Sequence, residues 1–481
     1  MAIGRRGWTR TALCCVLGVV VLASWHALLH ENSSVHMRGW LLQASDNRWS
    51  RFRAGGSAVV PGEDLQAVIR KGTGNVYSSV DCHGTEGTAN PLETKCRFRN
   101  VCLELLDLPE HRAMLDADVK NNPEYVRLSY YRPDWLAEAP LYWFKGYAKD
   151  GPWSRVDWAG TLKPTLVSGT VPPDSLWSPA ETTILTEAWW PENFGHALGD
   201  DYLPVYRLAQ YFDRFDSARL SVIFHPSCQD RGSPGEERDR GCSHHLEISN
   251  LLLDTPIIDA NSSALFRKKG PVCFKELLVG TGGVRMGFPA EGHVWSDFAS
   301  TIKKRSGIDP SYLPGKQRIT IMYKARKRTF TNYDELVQSL RDRFNVEVEL
   351  LDPNELSLTD QLAVLSRTTV LVSPCGGISF SAAFLPPGAS AVFSDYWDTR
   401  ANRSFSMEKY IFTQMSDLTS FYYTVDKKDV SVDIENVWSG DRDNEWIVYR
   451  NYADVTIDLE RMELYVLAEV AFEFSASFQR D

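Results

Sequence analysis

The most regular pattern in the chain lies between residues 317 and 397, where short apolar runs alternate with amphipathic segments. Asn332 followed by Glu335 predicts a capping box at one helix start, Ser357 predicts a second helix start, and Ala382–Phe384 belong to a third helix. Four apolar runs have the length and β-branched content of buried strands, at 318–323, 346–351, 369–372 and 390–393. The alternation predicts a parallel, Rossmann-like sheet.

Residues 72–312 mix the same signals less regularly. Strands are predicted at 182–185, 220–224, 256–258 and 272–279, with a helix at 196–215 between the first two. A long amphipathic helix is predicted at 458–478. Strands that alternate with helices indicate an α/β layered architecture in this part also.

The N-terminal segment has the pattern of a membrane anchor. Nineteen residues, 11–29, carry no charge and would span about 28 Å as a helix, close to the hydrocarbon thickness of a bilayer. Arginines precede the segment and Glu31 follows it, which predicts a cytosolic N-terminus. Ala23-Ser24 keeps a cleaved signal peptide open as the alternative. Both interpretations deliver the rest of the chain to the secretory lumen.

Cysteines and glycosylation sequons agree with that compartment. Seven cysteines follow the anchor, and an oxidising lumen would pair most of them. Their spacing lacks the paired C-x-x-C of a zinc site, and an odd count leaves at least one free thiol. Disulfide candidates are Cys82, Cys96, Cys102, Cys228 and Cys242; the sequons are at Asn32, Asn261 and Asn402.

Net charge narrows the choice of partners. The chain carries a formal charge of −10, with no long basic run. A surface of that sign repels phosphate backbones, so nucleic acid is not an expected partner. A local basic pocket could still bind a nucleotide.

Two segments of the predicted sheet have the chemistry of a diphosphate site. Lys324, Arg326, Lys327 and Arg328 follow the first strand of the 317–397 region, and Cys375-Gly376-Gly377 follows the third. Ligands of parallel α/β sheets bind beyond the carboxyl ends of strands, where helix N-termini present N–H groups. Glycines let the backbone approach a diphosphate, and the Ser379 and Ser381 hydroxyls can donate to it. A plain tight turn and a solvated charge run are the alternatives.

A third constellation is Asn193-Phe194-Gly195-His196 with Asp200 four residues on. His196 and Asp200 would share one helix face, so the carboxylate could orient the imidazole as a general base for a hydroxyl group. A histidine that caps or packs at the helix start is the alternative. Asp201, Glu192 and Glu187 are rival bases.

Taken together, these blocks resemble glycosyltransferase family 61. The N-x-x-H-x-x-x-D block at Asn193 is similar to the family's N-terminal motif, and the segment 324–336 is similar to its basic stretch followed by N-x-x-E-L. Residues 375–389, ending F-L-P-P-G-A, resemble its H-G-A-G block at equal length, and the cysteine-bounded 96–102 resembles an early luminal segment. Cys375 stands where the family has histidine, and Ile378 where it has glycine.

The resemblance implies a GT-B-like α/β fold, with two Rossmann-like domains facing a cleft, and transfer of N-acetylglucosamine, xylose or arabinose from a UDP-sugar to a protein or glycan. It implies inversion with no required cofactor or metal, in Golgi or endoplasmic reticulum membranes. By position, Lys324, Arg326, Arg328, Asn332, Cys375, Gly376, Gly377, Ser379 and Ser381 would bind the nucleotide sugar, and Asn193, His196 and Asp200 the acceptor. The expected parts are a cytosolic tail (1–10), a single-pass type II anchor (11–29), a luminal stem (30–71), an acceptor-side domain (72–312), a nucleotide-sugar domain (313–440) and a C-terminal helix packing back on the body (441–481).

Two rival functions remain. A metal-dependent GT-A enzyme would use a D-x-D clamp, for which Asp116-Ala117-Asp118 and Asp441-Arg442-Asp443 have the spacing. A catalytically silent, sugar-binding or scaffolding protein on the same fold is the second, motivated by Cys375 and Ile378.

Overall fold

The computed structural model describes the main body of the chain, with gaps. The described residues are 76–83, 95–105, 126–132, 165–186, 193–215, 220–224, 245–253, 258–259, 271–280, 293–325, 327–413, 415 and 417–467. The predicted tail, anchor and stem therefore lie outside them. No helix among these residues is both long and apolar enough to cross a bilayer.

The first sheet is mixed and occupies the N-terminal half of the described chain. Its central strands β9, β6, β7 and β8 are parallel, whereas β2 is antiparallel to β1, β3 and β9. The order is β4-β3-β2-β9-β6-β7-β8, with β1 on β2 and β5 on β9. The strands are β1 (Ser79–His83), β2 (Lys95–Leu105), β3 (Val126–Arg132), β4 (Thr165–Ser168), β5 (Leu176–Trp177), β6 (Thr182–Thr186), β7 (Leu220–Phe224), β8 (Ile258–Asp259) and β9 (Val272–Val279).

The second sheet is fully parallel, in the order β11-β10-β12-β13-β16. The four strands predicted between residues 317 and 397 are all confirmed within two residues. Two small antiparallel pairs, β14 with β15 and β17 with β18, lie beside it. The strands are β10 (Arg318–Met322), β11 (Glu347–Leu351), β12 (Val370–Ser373), β13 (Ser390–Ser394), β14 (Tyr396–Asp398), β15 (Arg403–Phe405), β16 (Thr419–Tyr423), β17 (Val430–Ser431) and β18 (Asp454–Val455).

Helices connect the parallel strands and cover the sheets. The α-helices are α1 (Phe194–His196), α2 (Leu203–Tyr211), α3 (245–252), α4 (His293–Arg305), α5 (Tyr333–Phe344), α6 (Leu358–Leu365), α7 (Glu408–Phe412), α8 (Glu445–Tyr452) and α9 (459–467). A π-helical turn at Ala197–Tyr202 joins α1 to α2, and 3₁₀ segments occur at Gly377–Phe384, Lys427–Asp429 and Ile434–Asn436. The mixed strand and helix content establishes an α/β fold.

Each sheet reverses its strand order at one point. In the second sheet the chain passes from β10 to β11 on one side and then to β12 on the other. In the first sheet it passes from β6 through β7 to β8 and returns to β9 on the opposite side of β6. Ligands of open α/β sheets bind at the carboxyl ends beside such reversals, where the connections diverge and leave a crevice.

One continuous apolar core joins the two sheets. It contains Leu198 and Phe298 from the N-terminal half together with Leu371, Phe393 and Phe412 from the C-terminal half, all with 0% exposure. A second core on the other face of the parallel sheet is covered by α5 and α9, with Leu336 and Met462 fully buried. The 3₁₀ segment after β12 is therefore fixed between the halves by apolar packing.

The structure corrects two predicted details. The helix predicted at 196–215 begins at Phe194, contains the π-helical turn and ends at Tyr211. The helix predicted around Ala382 is a 3₁₀ segment that ends before Pro386 and Pro387, since proline disfavours helix at the residue before it. The predicted C-terminal helix is described from 459 to 467, and its remainder lies outside the described residues.

Asn332 stands at the N-cap of α5, but its side chain makes no capping bond, so the predicted capping box was wrong. Its amide instead pairs with the backbone of Ile457, donating to the carbonyl and accepting from the N–H, both at 2.9 Å. That partner is 125 residues away and leaves no local signal in the sequence. The Ser357 cap is confirmed, since its hydroxyl accepts from the Asp360 N–H.

Two disulfides cross the first sheet between directly paired strand positions. Cys82 is bonded to Cys96, and Cys102 to Cys273, a residue outside the predicted candidates. Cys228 and Cys242 lie outside the described residues. Cys375 is free and buried, as the odd count allowed.

We expect the Cys102–Cys273 bond to contribute more stability than Cys82–Cys96. The bonds close segments of 171 and 14 residues, and chain-entropy arguments give about 5 kcal/mol for the long loop against about 3 kcal/mol for the short one. Urea unfolding of the two double alanine variants measures the difference. Equal losses would contradict a stabilisation that depends on loop length.

Candidate active site

The basic segment after β10 is held in a strained conformation. Lys327 and Arg328 both have positive φ angles, 56° and 64°, which side-chain-bearing residues rarely adopt. Thr329 fixes the segment from one side, since its N–H donates to the Asp454 carboxylate at 3.0 Å and its carbonyl accepts from the Val455 N–H at 2.8 Å. Strain of this kind persists where the surroundings over-determine it, commonly at ligand sites.

The strained segment brings Arg328 against the glycine turn that follows β12. A Cβ atom on Gly376 would lie 2.6 to 2.8 Å from three atoms of the Arg328 guanidinium. Gly376 itself has φ 109°, a conformation that glycine adopts without strain. The two segments that the sequence assigned to a diphosphate are therefore in contact, with no room for a side chain between them. Arg328 Nε is buried and without a hydrogen bond in the described part of the chain.

Glu408, from α7, lies beneath this turn and was not predicted. Glu408 is 2% exposed, its Oε1 accepts from the Gly376 N–H at 2.7 Å, and the same oxygen lies 3.3 Å from the Ser379 hydroxyl oxygen. Burial raises the pKa of Glu408, and the nearby Arg328 opposes that rise. The Gly376 N–H thus has an internal acceptor. No motif marks Glu408, because it lies 32 residues further along the chain.

Lys324 reaches the same turn from β10. Its ammonium donates to the Cys375 carbonyl at 3.1 Å. Burial, and then repulsion from Arg328, lowers the pKa of Lys324 to about 7. The Cys375 thiol is buried, and burial raises its pKa. Cys375 therefore contributes its carbonyl oxygen to the position of Lys324, while its thiol is enclosed.

The N-terminal half meets this turn through α1. Asn193 caps α1 by accepting from the Gly195 N–H at 3.1 Å, and a Cβ on Gly377 would collide with the same Asn193 oxygen. A Cβ on Gly195 would lie 2.6 Å from the Phe380 ring and 2.9 Å from the Gly377 Cα. Two glycines, Gly195 and Gly377, thus allow backbone-to-backbone approach of the two halves at one place.

His196 ends α1 and immediately precedes the π-helical turn. Its Nδ1 lies 2.6 Å from Oδ2 of Asp200, whose side chain is 4% exposed, whereas the imidazole is 27% exposed. An ionised carboxylate only accepts, so a neutral His196 carries its proton on Nδ1 and leaves Nε2 as the acceptor. That tautomer has the form of a general base. Asp201, a rival base, is fully buried 3.6 Å from His245.

The remaining predicted residues differ in their accessibility. Ser379 and Ser381 are buried; the Ser379 hydroxyl donates to the Gly376 carbonyl at 2.7 Å, which stabilises the turn. The Asn332 side-chain amide forms hydrogen bonds with the backbone of Ile457. Outside the described residues lie Arg326, Asn32, Asn261, Glu187, Glu192, Cys228, Cys242 and the 116–118 D-x-D. Asn402 is exposed in the β14–β15 turn with φ 49°.

Arg450, on α8, adds a second guanidinium near Arg328. Burial, together with repulsion from Arg328 and Arg400, lowers its pKa, while Tyr396 and Cys375 oppose the shift. It lies 5.3 Å from the Trp446 ring centre, and Arg400 stacks on that ring at 3.7 Å. Sequence reasoning missed Arg450 because it follows no glycine turn and no parallel strand. Among the described residues no group of three or more His, Cys, Asp or Glu side chains is arranged for a metal ion.

Comparison with known families gives one match that includes this site. Residues 194–392 match the family described as Glycosyltransferase 61, a segment that runs from α1 to β13 and includes both sides of the contact. Over these residues the chain is similar to that family. The match excludes β1–β5 and α8, so Arg450 lies outside it.

Individual proteins that match the chain do so at low sequence identity. The zebrafish (Danio rerio) protein O-linked-mannose β-1,4-N-acetylglucosaminyltransferase 2 is 24% identical over 228 residues, covering 44% of this chain, and the human protein of that name is 22% identical over 229 residues, also covering 44%. In both cases the aligned part spans only 37% of the relative.

Two solved structures were also similar. They are an E. coli ADP-heptose heptosyltransferase II, with TM-score 0.22, 11% identity and coverage of 50% of this chain and 92% of that one, and the bacterial glycosyltransferase TibC of E. coli, with TM-score 0.24, 11% identity and coverage of 72% and 84%. TM-scores this low do not establish a shared fold.

Gly376→Ala should weaken ligand binding in addition to straining the backbone. Gly376 and Gly388 both have positive φ, but an added methyl meets Arg328 at Gly376 and nothing within 4 Å at Gly388. Both alanine variants should lose about 1–3 kcal/mol of stability from strain, and only Gly376→Ala should weaken UDP binding, by at least about tenfold. Calorimetric titration with UDP tests this; equal affinities in the two variants would count against the Arg328 contact.

UDP affinity should fall as pH rises from 6.5 to 8.5, because Lys324, with its pKa lowered to about 7, loses its charge in this window. Burial is the main cause of the lowered pKa of Lys324. Arg328 and Lys327 lower this pKa further, whereas Cys375 and Glu408 raise it. Lys324 stays protonated to higher pH in the unfolded chain than in the folded protein. Its titration therefore makes the free energy of unfolding of the ligand-free protein rise as the pH rises from 7 to 10. Lys324→Arg should flatten the binding profile. A wild-type profile as flat as that of the variant would refute the assignment.

Proposed function

We propose that the protein is an inverting glycosyltransferase, which moves a sugar from a UDP-sugar to a hydroxyl group of a protein or glycan. One observation carries the proposal: the turn at Gly376–Gly377 is in contact with Arg328 on one side and with Asn193 on the other. A group suited to bind diphosphate and a segment that carries a histidine–carboxylate pair are thereby brought to one place.

The proposed reaction is a single in-line displacement. His196 Nε2 takes the proton of the acceptor hydroxyl, whose oxygen forms a bond to the anomeric carbon of the donor sugar. The bond from that carbon to the diphosphate oxygen breaks, and its electron pair leaves with UDP. Arg328, with Lys324 and Arg450 nearby, stabilises the charge that develops on the leaving diphosphate. Asp200 holds the imidazole in the required tautomer.

The donor and acceptor follow from the relatives and not from the site geometry. The named relatives are N-acetylglucosaminyltransferases that act on O-linked mannose. We extend to this chain only the class, a UDP-sugar such as UDP-N-acetylglucosamine, UDP-xylose or UDP-arabinose, with a protein or glycan acceptor and no required metal. Activity that survives EDTA would support the last point.

The proposed architecture and location rest on the topology and the disulfides. Two strand-order reversals, one in each sheet, are consistent with a GT-B-like arrangement in which residues 72–312 bind the acceptor and residues 313–440 bind the donor. Two disulfides indicate folding in an oxidising compartment. We therefore propose a Golgi or endoplasmic reticulum lumen, with residues 11–29 as the membrane anchor.

A catalytically silent, nucleotide-sugar-binding protein is the second candidate. The observation that favours it is Glu408, whose carboxylate already accepts from the Gly376 N–H. If this N–H were required for the transition state, donor binding would persist without turnover. Binding of UDP-sugars combined with no UDP release across an acceptor panel would identify this function.

His196→Ala should lower turnover by about 10²- to 10⁴-fold, as expected when a positioned general base is lost, and leave UDP affinity within twofold. The measurement is UDP release from the three UDP-sugars with a panel of glycoprotein and glycopeptide acceptors. Asp200→Asn should reduce turnover less, because the imidazole stays in place but is oriented less well. Unchanged turnover in His196→Ala would remove His196 from the base role.

A further inference from the structure

The acid beneath the glycine turn has a charge that the proposed function does not use. Glu408 is 2% exposed, with Oε1 on the Gly376 N–H. Its second oxygen, Oε2, is buried without a hydrogen bond within the described part of the chain. A buried carboxylate oxygen without a hydrogen bond destabilises the fold. The hydrogen bond to Gly376 alone therefore does not explain why an acidic residue is buried here.

The surroundings of Glu408 supply that explanation. Its positive neighbours are Arg328, which faces the outer side of the same turn, and Lys324, which binds the adjacent Cys375 carbonyl. Arg328 and Lys324 are the cations assigned to the diphosphate. In its ionised form Glu408 is therefore an anion close to both, and Arg328 favours that form while burial opposes it.

An internal anion and a diphosphate act on the same cations. In the free protein the carboxylate offsets the repulsion between Arg328 and Lys324 and helps to keep them against the turn. When a diphosphate binds, the same negative charge repels it. A carboxylate in this place thus positions the cations and at the same time lowers the affinity for the ligand.

We propose that Glu408 is a positioning residue of the donor site with two separable effects: its hydrogen bond to Gly376 holds the turn, and its charge weakens the retention of UDP. The inference rests on the proposed function, since it assumes that the turn and Arg328 bind the diphosphate of UDP. It adds to that function a built-in limit on product retention.

Two substitutions separate the effects. Glu408→Gln keeps an oxygen acceptor for the Gly376 N–H and removes the charge, so UDP and inorganic pyrophosphate should bind more tightly, by at least about threefold for a charge this close. Glu408→Asp keeps the charge and withdraws the carboxylate by one methylene, so the turn loses its acceptor and both ligands should bind more weakly. A purely structural residue would give weaker binding in both variants.

A pH profile adds a readout that a structural role would not change. Without the negative charge, the pKa of Lys324 should move below its wild-type value of about 7, and the fall in UDP affinity should begin at lower pH in Glu408→Gln. Asp395→Asn is the matched control, because Asp395 is also a buried acid but its carboxylate binds the Ser404 hydroxyl. It should change UDP affinity less than Glu408→Gln does.

The experiment is calorimetric titration of the full chain and its variants with UDP and with inorganic pyrophosphate, at pH 6.5, 7.5 and 8.5. Tighter binding in Glu408→Gln, weaker binding in Glu408→Asp and a smaller change in Asp395→Asn are the expected results. If wild type binds UDP but Glu408→Gln binds equally or less tightly, the inference fails and the proposed function stands. If Glu408→Gln does not fold, weaker binding in Glu408→Asp supports the hydrogen bond, and wild-type-like binding there overturns the inference. If wild type binds neither ligand, the donor site itself is wrong.

Discussion

The close approach of backbone to backbone at Gly195 and Gly377 is the constraint on which the site depends. A side chain at either position would collide with Phe380 or Asn193. The absence of a Cβ therefore lets α1 of one half and the turn after β12 of the other meet without intervening atoms. Because apolar packing joins the same two halves, the contact is part of the core and does not depend on a ligand to form.

Charge is arranged around that contact in layers. Arg328 lies on the outer side of the turn, Lys324 binds its carbonyl at Cys375, and Glu408 holds its N–H from below. Burial shifts the pKa of Lys324 down and that of Glu408 up, so both shifts disfavour the charged forms when no ligand is present. A bound anion would reverse the shift at Lys324, because it favours the protonated amine. Binding at this site is thus expected to be linked to proton uptake.

The parallel sheet was predictable because each of its strands is marked locally. The runs that became β10, β12 and β13 are apolar, short and separated by helical segments, and the sheet buries them on both faces, whereas the edge strand β11 is buried on one face only. Position at the carboxyl ends of β10 and β12 then brought Arg328 and Gly376 together, as the topology requires. The same reasoning failed for the mixed side of the first sheet, where β2 pairs with β1, β3 and β9 at separations that no periodicity reveals.

The residues and contacts that sequence reasoning missed share one property: each involves a distant segment. Glu408 binds the Gly376 N–H from a helix between β15 and β16, and Arg450 lies near Arg328 on a helix that follows the sheet. Cys273 bonds to a cysteine 171 residues away, and the Asn332 side chain binds a backbone 125 residues further on. A helix cap, a strand or a glycine turn is decided by neighbours in the chain and can be inferred from them. The position of a buried counter-charge depends on the whole fold. The contact of Glu408 with Gly376 therefore could not be predicted without knowing that α7 packs against the turn. The same holds for Cys375, because its backbone carbonyl, and not its side chain, binds Lys324.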